Sequence, residues 1–325
     1  MSATTVDAGG NQRRLPTALT DPGFWGNNAA LIGLAGVVVV FTILTPDFLT
    51  SANISDLLVA AAILVALAIG QSFVVALGGI DLSIGSTLPL TAVLLGWSHG
   101  KGVDLPLAIL VAIGGGGVAG LINGVIIAKG RINDFIVTLG TLSIFSGLAL
   151  VISQGQPVAV NSTFLQDLAI SSLGPIRWMV LVAIVIAVLA HVLIFHTRFG
   201  THILATGGKT EAARSMGVRV DRIRIAAYVA SGLLAGLAGV LLVSRTGGSD
   251  PSLQADLLLS SIAAVVLGGA SLNGGRASIV GAVAGALLLS ALLNGFTLLQ
   301  VSGFYQPIAV GIVVVAAAVL SRFQR

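Results

Sequence analysis

Long apolar runs constrain this chain more than any other feature of its sequence. A helix needs roughly 20 apolar residues to cross the hydrocarbon core of a bilayer. Only 9% of the residues are charged, whereas a soluble domain carries about 25%. The chain therefore has too few charged residues to form the polar surface of a water-soluble protein. The sequence predicts an all-α fold, a polytopic membrane helical bundle of about ten transmembrane helices. The predicted spans are 28–45, 57–78, 83–97, 105–128, 133–153, 178–195, 225–244, 257–270, 277–297 and 305–321.

The basic residues predict which side of the membrane each connection faces. Cytoplasmic loops retain Lys and Arg, and with the N-terminus inside, all but three of the 16 basic residues fall on inside segments. The exceptions are Lys101, Arg177 and Arg245. The same asymmetry explains the net charge of +4 without a nucleic-acid partner. Both termini are therefore predicted to be cytoplasmic. The predicted segments are a cytoplasmic N-terminal segment at 1–27, a transmembrane domain at 28–321 and a cytoplasmic tail at 322–325.

Small residues recur every four positions on three of the predicted spans. In a membrane, such stripes let helix backbones approach each other closely, because lipid provides no hydrophobic drive for helix pairing. We interpret the stripes as packing surfaces rather than as substrate-binding residues. They are Ala112, Gly116, Gly120 and Gly124; Gly232 and Gly236; and Ala277, Gly281 and Gly285.

One interruption of the apolar pattern carries an acid at membrane depth. In LGGIDLSIGS, residues 77–86, Gly78 and Gly79 precede Asp81 and Ser83, and an ionisable group there costs roughly 2.5–3.5 kcal/mol. One interpretation makes Asp81 an N-cap, which accepts from backbone N–H groups at the start of the next span with help from Ser83. Another makes the loop a broken helix beside a translocation path. Both can hold, so these four residues are candidate pathway residues.

Two pairs of short sequences resemble each other across the two halves of the chain. They are VALGGIDLS at 75–83 with VVLGGASLN at 265–273, and GLINGVI at 120–126 with ALLNGFT at 291–297. The offsets within the two pairs are unequal, which leaves an internal duplication open. Asn123 and Asn294, one in each half, either face a polar pathway or bond between helices.

The longest inside connection, residues 196–224, contains a sequence that resembles the end of a phosphate-binding loop. The stretch Gly207-Gly208-Lys209-Thr210 supplies the final Gly-Lys-Thr of that motif. The motif requires another Gly five positions before its last Gly, but Ile203 stands there. No nucleotide site is therefore expected in this chain, and it is not predicted to be an enzyme. No cofactor or metal is expected either, because the chain has no Cys and its four His residues show no metal-ligand spacing.

The residues that follow predict a short helix of two turns instead. Thr210 can cap it, Glu211 in the first turn suits the helix dipole, and Gly217 can end it. The apolar face would comprise Ala212, Ala213 and Met216. So short a helix is unstable alone, so it is held either by a partner protein or by its own bundle.

Several long motifs in order resemble the permease subunits of ATP-binding-cassette importers, specifically the ribose/xylose/arabinose/galactose type. The resemblance covers nearly the whole chain from about residue 28. The motifs are GGIDLSIGS (78–86), NGVIIAKGRINDFIVTLGTLSIFSGLALVISQGQPV (123–158), FGTHILATGGKTEAARSMGV (199–218), SGLLAGLAGVLLVSR (231–245) and IAAVVLGGASLNGGRASIVGA (262–282).

The resemblance implies a fold similar to the cobalamin-importer type and a place in the bacterial cytoplasmic (inner) membrane. It implies that the Glu-Ala-Ala-x-x-x-Gly segment at 211–217 docks on a cassette ATPase subunit. It also implies an extracellular or periplasmic sugar-binding protein, a homodimer or heterodimer of permeases in membrane lipid, and transport of a monosaccharide such as a ribose-like pentose or a hexose.

Two other functions remain open from the sequence. An ion-coupled secondary transporter of a small polar solute normally needs intramembrane acids or a broken helix that coordinates sodium, and Asp81 stands almost alone. A membrane scaffold is the other alternative, since a large docking loop alone does not exclude it.

Overall fold

The computed structural model describes residues 29–252 and 255–321, and they form a bundle of helices. The predicted tail at 322–325 and the N-terminal segment at 1–27 lie outside the described residues. The helices are α1 Ala29–Leu44, α2 Ser51–Ala76, α3 Ile84–Gly100, α4 Leu105–Gly130, α5 Asp134–Ser153, α6 Thr163–Ile170, α7 Trp178–Phe195, α8 Arg198–Gly208, α9 Thr210–Ser215, α10 Val220–Thr246, α11 Ala255–Leu267, α12 Ile279–Leu298 and α13 Gln306–Ser321, with a 3-10 turn at Gly303–Tyr305 before the last.

Two small antiparallel strand pairs lie in the connections between helices. The first joins β1 Val158–Ala159 to β4 Gly248–Ser249, and the second joins β2 Ser172–Leu173 to β3 Ile176–Arg177. The sequence analysis did not anticipate these strands. They are two residues long each, so the fold remains a helical bundle.

Each predicted apolar span coincides with a helix, but the helices differ in their capacity to cross a membrane. Within the described part of the chain, six are long and apolar enough to do so: α2, α4, α5, α7, α10 and α12. Helices α1 and α11 are apolar but shorter, and α3 contains Pro89. A helical membrane bundle is thus confirmed, whereas a count of about ten crossings stays a prediction.

Helix α2 forms the centre of the bundle. Every residue from Ala61 to Ala76 is buried, and α7, α10, α11 and α12 pack around it. Because this segment has no lipid-facing side, it is apolar all round except at Gln71 and Ser72, which are also buried.

Helices α4 and α10 cross along the predicted glycine stripes. A Cβ atom at Gly116 would overlap the carbonyl oxygen of Gly232, and one at Gly120 would overlap the carbonyl oxygen of Tyr228. A Cβ at Gly236 would lie 2.8 Å from the Cα of Ile113. The two backbones are therefore in direct contact, which confirms that these stripes are packing surfaces.

The third stripe packs α12 against the end of α11. Added Cβ atoms at Gly281 and Gly285 would overlap the carbonyl oxygens of Gly268 and Ala264, respectively. Ala277, the first residue of the predicted stripe, precedes α12, which begins at Ile279.

Helices α2 and α11, which end in the two related sequences, terminate in the same way. In each, a glycine with positive φ follows the helix: Gly78 at +81° and Gly269 at +87°. Both form the two hydrogen bonds of a Schellman motif. Gly78 and Gly79 donate to the Val75 and Val74 carbonyls (2.9 and 3.1 Å), and Gly269 and Ala270 donate to those of Val266 and Val265 (3.0 and 3.2 Å). The related sequences thus fold alike locally.

Candidate functional site

The loop that links α2 to α3 holds Asp81 in a buried hydrogen-bonded site. Asp81 is 2% exposed. Its Oδ1 accepts from the N–H (3.1 Å) and the hydroxyl (2.6 Å) of Ser83, and its Oδ2 accepts from the Ser231 hydroxyl on α10 at 2.9 Å. The predicted acceptance by Asp81 from a backbone N–H at the start of the span, with help from Ser83, is confirmed. The N-cap position itself belongs to Ser83, because α3 begins at Ile84. Asp81 instead closes the preceding turn and joins it to α10.

Side chains from other helices satisfy the backbone of this loop. Asp134, at the start of α5, accepts from the Ile80 N–H at 2.6 Å, and the Thr138 hydroxyl donates to the Ile80 carbonyl at 3.1 Å. With its amide oriented to match, Gln71 on α2 accepts from the Asp81 N–H at 3.2 Å and donates to its carbonyl at 3.3 Å. Non-helical backbone inside a bundle needs such partners, because no water replaces them.

The structure separates the two candidate asparagines. Asn123 on α4 is fully buried and donates to the Ser83 hydroxyl at 2.8 Å, while its Oδ1 has no partner among the described residues. Asn294 on α12 instead forms a reciprocal pair with Asn53 on α2, at 3.0 and 2.8 Å. Asn123 therefore belongs to the Asp81 cluster, whereas Asn294 bonds between helices at the opposite end of α2.

A polar cavity of about 370 Å³ lies beside the loop. Its walls include Gly78, Gly79, Asp134, Arg224 and Tyr228. The Tyr228 hydroxyl is buried and has no partner within the described residues. The cavity thus presents charged groups and an unused hydroxyl next to the break after α2.

The predicted short helix is present as α9, which follows α8 after a break at Lys209. Glu211, Ala212 and Met216 are exposed, Met216 at 85%, whereas Ala213 is 3% exposed. The predicted apolar face is therefore divided, since Ala213 packs on the protein's own bundle and Met216 faces away from it.

The two ends of α9 differ in how well the sequence predicted them. Thr210 was expected to cap the helix, but Lys209 holds the N-cap position, and the Thr210 hydroxyl donates to the Thr206 carbonyl at 2.9 Å. At the other end, Gly217 has φ +84°, and the bonds from Gly217 to Arg214 (3.0 Å) and from Val218 to Ala213 (3.1 Å) complete a Schellman motif. The predicted stop at Gly217 is confirmed.

The α8–α9 segment contacts the break after α2 through backbone atoms. A Cβ atom at Gly207 would overlap the Ala76 carbonyl oxygen and lie 2.7 Å from the Gly275 nitrogen. The Gly275 N–H itself donates to the Ala76 carbonyl at 3.0 Å. From the other side, Arg224 lines the polar cavity and donates to the Thr210 hydroxyl at 3.5 Å. The short helix and the Asp81 loop thus belong to one contact network.

Sequence reasoning missed several residues of this site. Ser231 lies 150 positions from Asp81 and stands in the sequence only as the first residue of the motif SGLLAGLAGVLLVSR. Asp134 and Tyr228 carry no signal in the sequence, because an acid beside a basic turn and a single Tyr in an apolar span are ordinary features. The one available signal for the Ser231–Asp81 pair is that both residues are polar, lie at membrane depth and therefore need a hydrogen-bond partner.

The chemistry of this site is hydrogen bonding rather than covalent catalysis. Hydroxyl and amide groups surround a single buried carboxylate, and two of them, Asn123 Oδ1 and the Tyr228 hydroxyl, are unused. Because these groups are buried, the arrangement fixes the non-helical backbone of the α2–α3 loop within the bundle. Across the described residues, no group of three acidic or histidine side chains is placed to hold a metal ion.

Known transport-system permeases are similar to this chain over most of its length. A family described as the permease component of branched-chain amino acid transport systems matches residues 53–318. The ribose import permease protein of Bacillus subtilis (strain 168) is 41% identical over 297 residues, covering 90% of this chain and 91% of the relative. No solved structure matches.

Two further relatives are similar over almost their full length. The ribose import permease protein of Escherichia coli (strain K12) is 36% identical over 295 residues, with 90% of this chain and 92% of the relative covered. The L-arabinose ABC transporter permease protein of Azospirillum brasilense is 37% identical over 302 residues, with 91% and 89% covered. Since the family match spans more than half of the chain and the relatives align almost end to end, the chain belongs to this family of transport-system permeases.

Proposed function

We propose that this chain is the membrane-spanning permease of an ATP-binding-cassette importer that carries a monosaccharide, either a ribose-like pentose or a hexose. The names of the ribose and arabinose relatives support this substrate class. The observation that carries the mechanism is the contact network between α9 and the Asp81 loop, because it connects an exposed helix to a polar break inside the bundle.

The proposed topology has about ten crossings in the bacterial cytoplasmic membrane, with both termini cytoplasmic and an architecture similar to the cobalamin-importer type. Several connections predicted to be cytoplasmic meet at one end of the bundle, which supports this orientation. The cavity there is lined by the α4–α5 turn with Arg131, by the α2–α3 loop and by Arg224 at the start of α10. The turn with Gly275 contacts the same end. Asn53 and Asn294 mark the opposite, extracellular end.

A cassette ATPase is the proposed partner on the cytoplasmic side, and α9 is its docking helix. Met216, Glu211 and Ala212 are the exposed residues it offers, and an unpaired, 85% exposed Met side chain suits an adaptable apolar contact. ATP hydrolysis takes place on that partner. Movement of α9 then reaches the α2 break through the Gly207 backbone and through Arg224.

The permeation pathway is proposed to form between two copies of this chain or between this chain and a related permease. Helix α5 supports a pathway face, because it exposes Gly140, Ser143 and Gly147 along one side. No atom lies within 4 Å of a Cβ added at either glycine. Asp81, Ser83 and Asn123 lie behind α5 and would shape this face indirectly. A sugar-binding protein delivers the substrate at the extracellular end.

The test is reconstitution in liposomes with a cassette ATPase and a sugar-binding protein from the same organism. We expect ATP-dependent uptake of labelled ribose or a related monosaccharide. Uptake of leucine instead of a sugar would support the branched-chain amino acid description of the family and contradict the proposed substrate. Uptake of sugar without the ATPase would contradict the importer mechanism.

A surface variant tests the docking helix separately. Met216→Asp places a charge on the exposed side of α9, so we expect loss of ATPase binding and of coupled uptake with an unchanged helical content and melting temperature. Met179→Leu, a buried change of similar volume on α7, is the control and should retain ATPase binding. Normal ATPase binding by Met216→Asp would contradict the docking assignment.

A further inference from the structure

A long apolar groove runs between α2, α7 and α12, away from the Asp81 site. Its volume is about 560 Å³. Small side chains create its depth, since Ala61, Ala62, Ala183 and Ala187 line it where larger residues would fill it. Leu287 of α12 closes the third side.

One end of this groove is charged. There Arg177, which lines the groove at the start of α7, forms an ion pair with Asp56 on α2, beside the lining, with 2.8 Å between Nη1 and Oδ1. The Asp56 side chain is 65% exposed and that of Arg177 is 26% exposed, so both retain bonding capacity toward a ligand. The Ser51 and Ser55 side chains lie on the same end of the groove lining.

The dimensions of the groove match one leaflet of a bilayer. On α2 the lining extends from Ser51 to Val65, which at 1.5 Å per residue is about 21 Å. The hydrocarbon core of a leaflet is about 15 Å thick, and the remainder corresponds to the headgroup level. Trp178, next to Arg177 and 42% exposed, occupies the level where aromatic residues anchor membrane proteins.

We propose that this groove binds one glycerophospholipid, with an acyl chain along the alanines and its headgroup at the Arg177–Asp56 pair. A sugar is excluded as the occupant because the lining beyond the charged end is apolar, which leaves hydroxyl groups without partners. The site is independent of the transport pathway, and under the proposed orientation it faces the outer leaflet.

The ion pair selects the class of headgroup. Arg has five N–H donors, so Arg177 can hold a phosphate oxygen and keep Asp56. The exposed Asp56 carboxylate accepts from an N–H donor, which a primary ammonium supplies and a quaternary ammonium does not. The preferred ligand is therefore a phosphoethanolamine lipid rather than a phosphocholine lipid.

Native mass spectrometry of the purified chain tests the groove. We expect one phospholipid to remain bound to the wild-type chain after partial delipidation. Ala187→Phe fills the groove and should lower retention by roughly tenfold or more, because losing contact with about two methylene groups already has that effect. Val185→Phe on the same helix is the matched control, since Val185 is 55% exposed and does not line the groove, and it should retain lipid.

Ala187→Leu is a smaller change that keeps the test valid if Ala187→Phe does not fold. It should lower lipid retention less than Ala187→Phe does. Equal lipid retention by the wild type, both Ala187 variants and Val185→Phe would overturn the proposal. Loss of a protein dimer by the Ala187 variants, with lipid unchanged, would overturn it in favour of a second copy of this chain.

Headgroup exchange tests the ion pair. In nanodiscs that contain equal amounts of phosphatidylethanolamine and phosphatidylcholine, the wild type should retain the ethanolamine lipid preferentially. Asp56→Asn removes the carboxylate and should abolish this preference while the groove still binds lipid. The same preference in wild type and Asp56→Asn would overturn the assignment of the headgroup site.

Discussion

The Ser231–Asp81 hydrogen bond is the contact whose removal tests the site most directly. Ser231→Ala deletes a hydroxyl that is fully buried and that donates to Asp81 Oδ2 at 2.9 Å. Oδ1 keeps both of its bonds from Ser83. The substitution therefore leaves one oxygen of a buried carboxylate without this donor, and the α2–α3 loop loses its side-chain bond to α10.

The expected cost follows from the charge and burial of the pair. A hydrogen bond to a charged group contributes about 1.5–3 kcal/mol, which corresponds to roughly a 10- to 150-fold change in the folding equilibrium. Ser244→Ala on the same helix is the control. Ser244 is also buried, but its hydroxyl donates only to the Val240 carbonyl of its own helix at 2.9 Å, so its loss should cost no more than about 0.5 kcal/mol.

The assay is reversible unfolding in mixed micelles of mild detergent and increasing SDS, followed by circular dichroism. Asp81→Asn is combined with Ser231→Ala in a double-mutant cycle, and the coupling free energy should exceed about 0.5 kcal/mol. Equal costs for Ser231→Ala and Ser244→Ala, or a coupling energy near zero, would refute the reasoning that Ser231 acts through Asp81.

Three further outcomes are expected. Gly120→Leu should lower the free energy of unfolding by about 3 kcal/mol or more, because the larger side chain pushes α4 away from α10. Gly140→Leu is the control and should melt like the wild type, since no atom lies within 4 Å of a Cβ at Gly140. Scanning fluorimetry compares the two melting temperatures. Gly217→Ala should lower the free energy of unfolding by about 1 kcal/mol, since a φ of +84° strains an L-residue. The same melting curves measure this loss. Hydrogen bonds from Ser252 hold the pKa of Asp250 below its usual range, so Ser252→Ala should raise it, as an NMR titration would detect. The pKa of Asp250 is lower in the folded protein than in the unfolded chain. Its contribution to the free energy of unfolding is therefore fully present above the ordinary pKa of about 3.9 and is lost as the pH falls through the lowered value.

The architecture followed from the sequence where a local pattern decides it. Apolar runs located the helices, and the spacing of Gly116 and Gly120 predicted a close backbone contact because small residues let helix backbones approach. The stop at Gly217 was also predictable, since a positive φ after a helix favours glycine.

The candidate site was less predictable because its partners are distant in sequence. The acid at Asp81 stood out, yet nothing local indicated that Ser231 or Asp134 would bond its loop. Lys209 rather than Thr210 occupies the N-cap position of α9, because the Thr210 hydroxyl donates to the Thr206 carbonyl of the preceding helix. Side chains with two competing backbone partners are not assigned by local preference alone.

The glycine contact between α4 and α10 limits how the protein can change shape. With backbone against backbone at Gly116 and Gly232, there are no intervening side chains whose rotamers could absorb a sliding movement. The two helices therefore move together as one rigid body. Under the proposed docking of α9, a conformational change would turn this pair as a unit. The bending would then fall at the ends of α4 and α10, in the turns at Arg131 and Gly247.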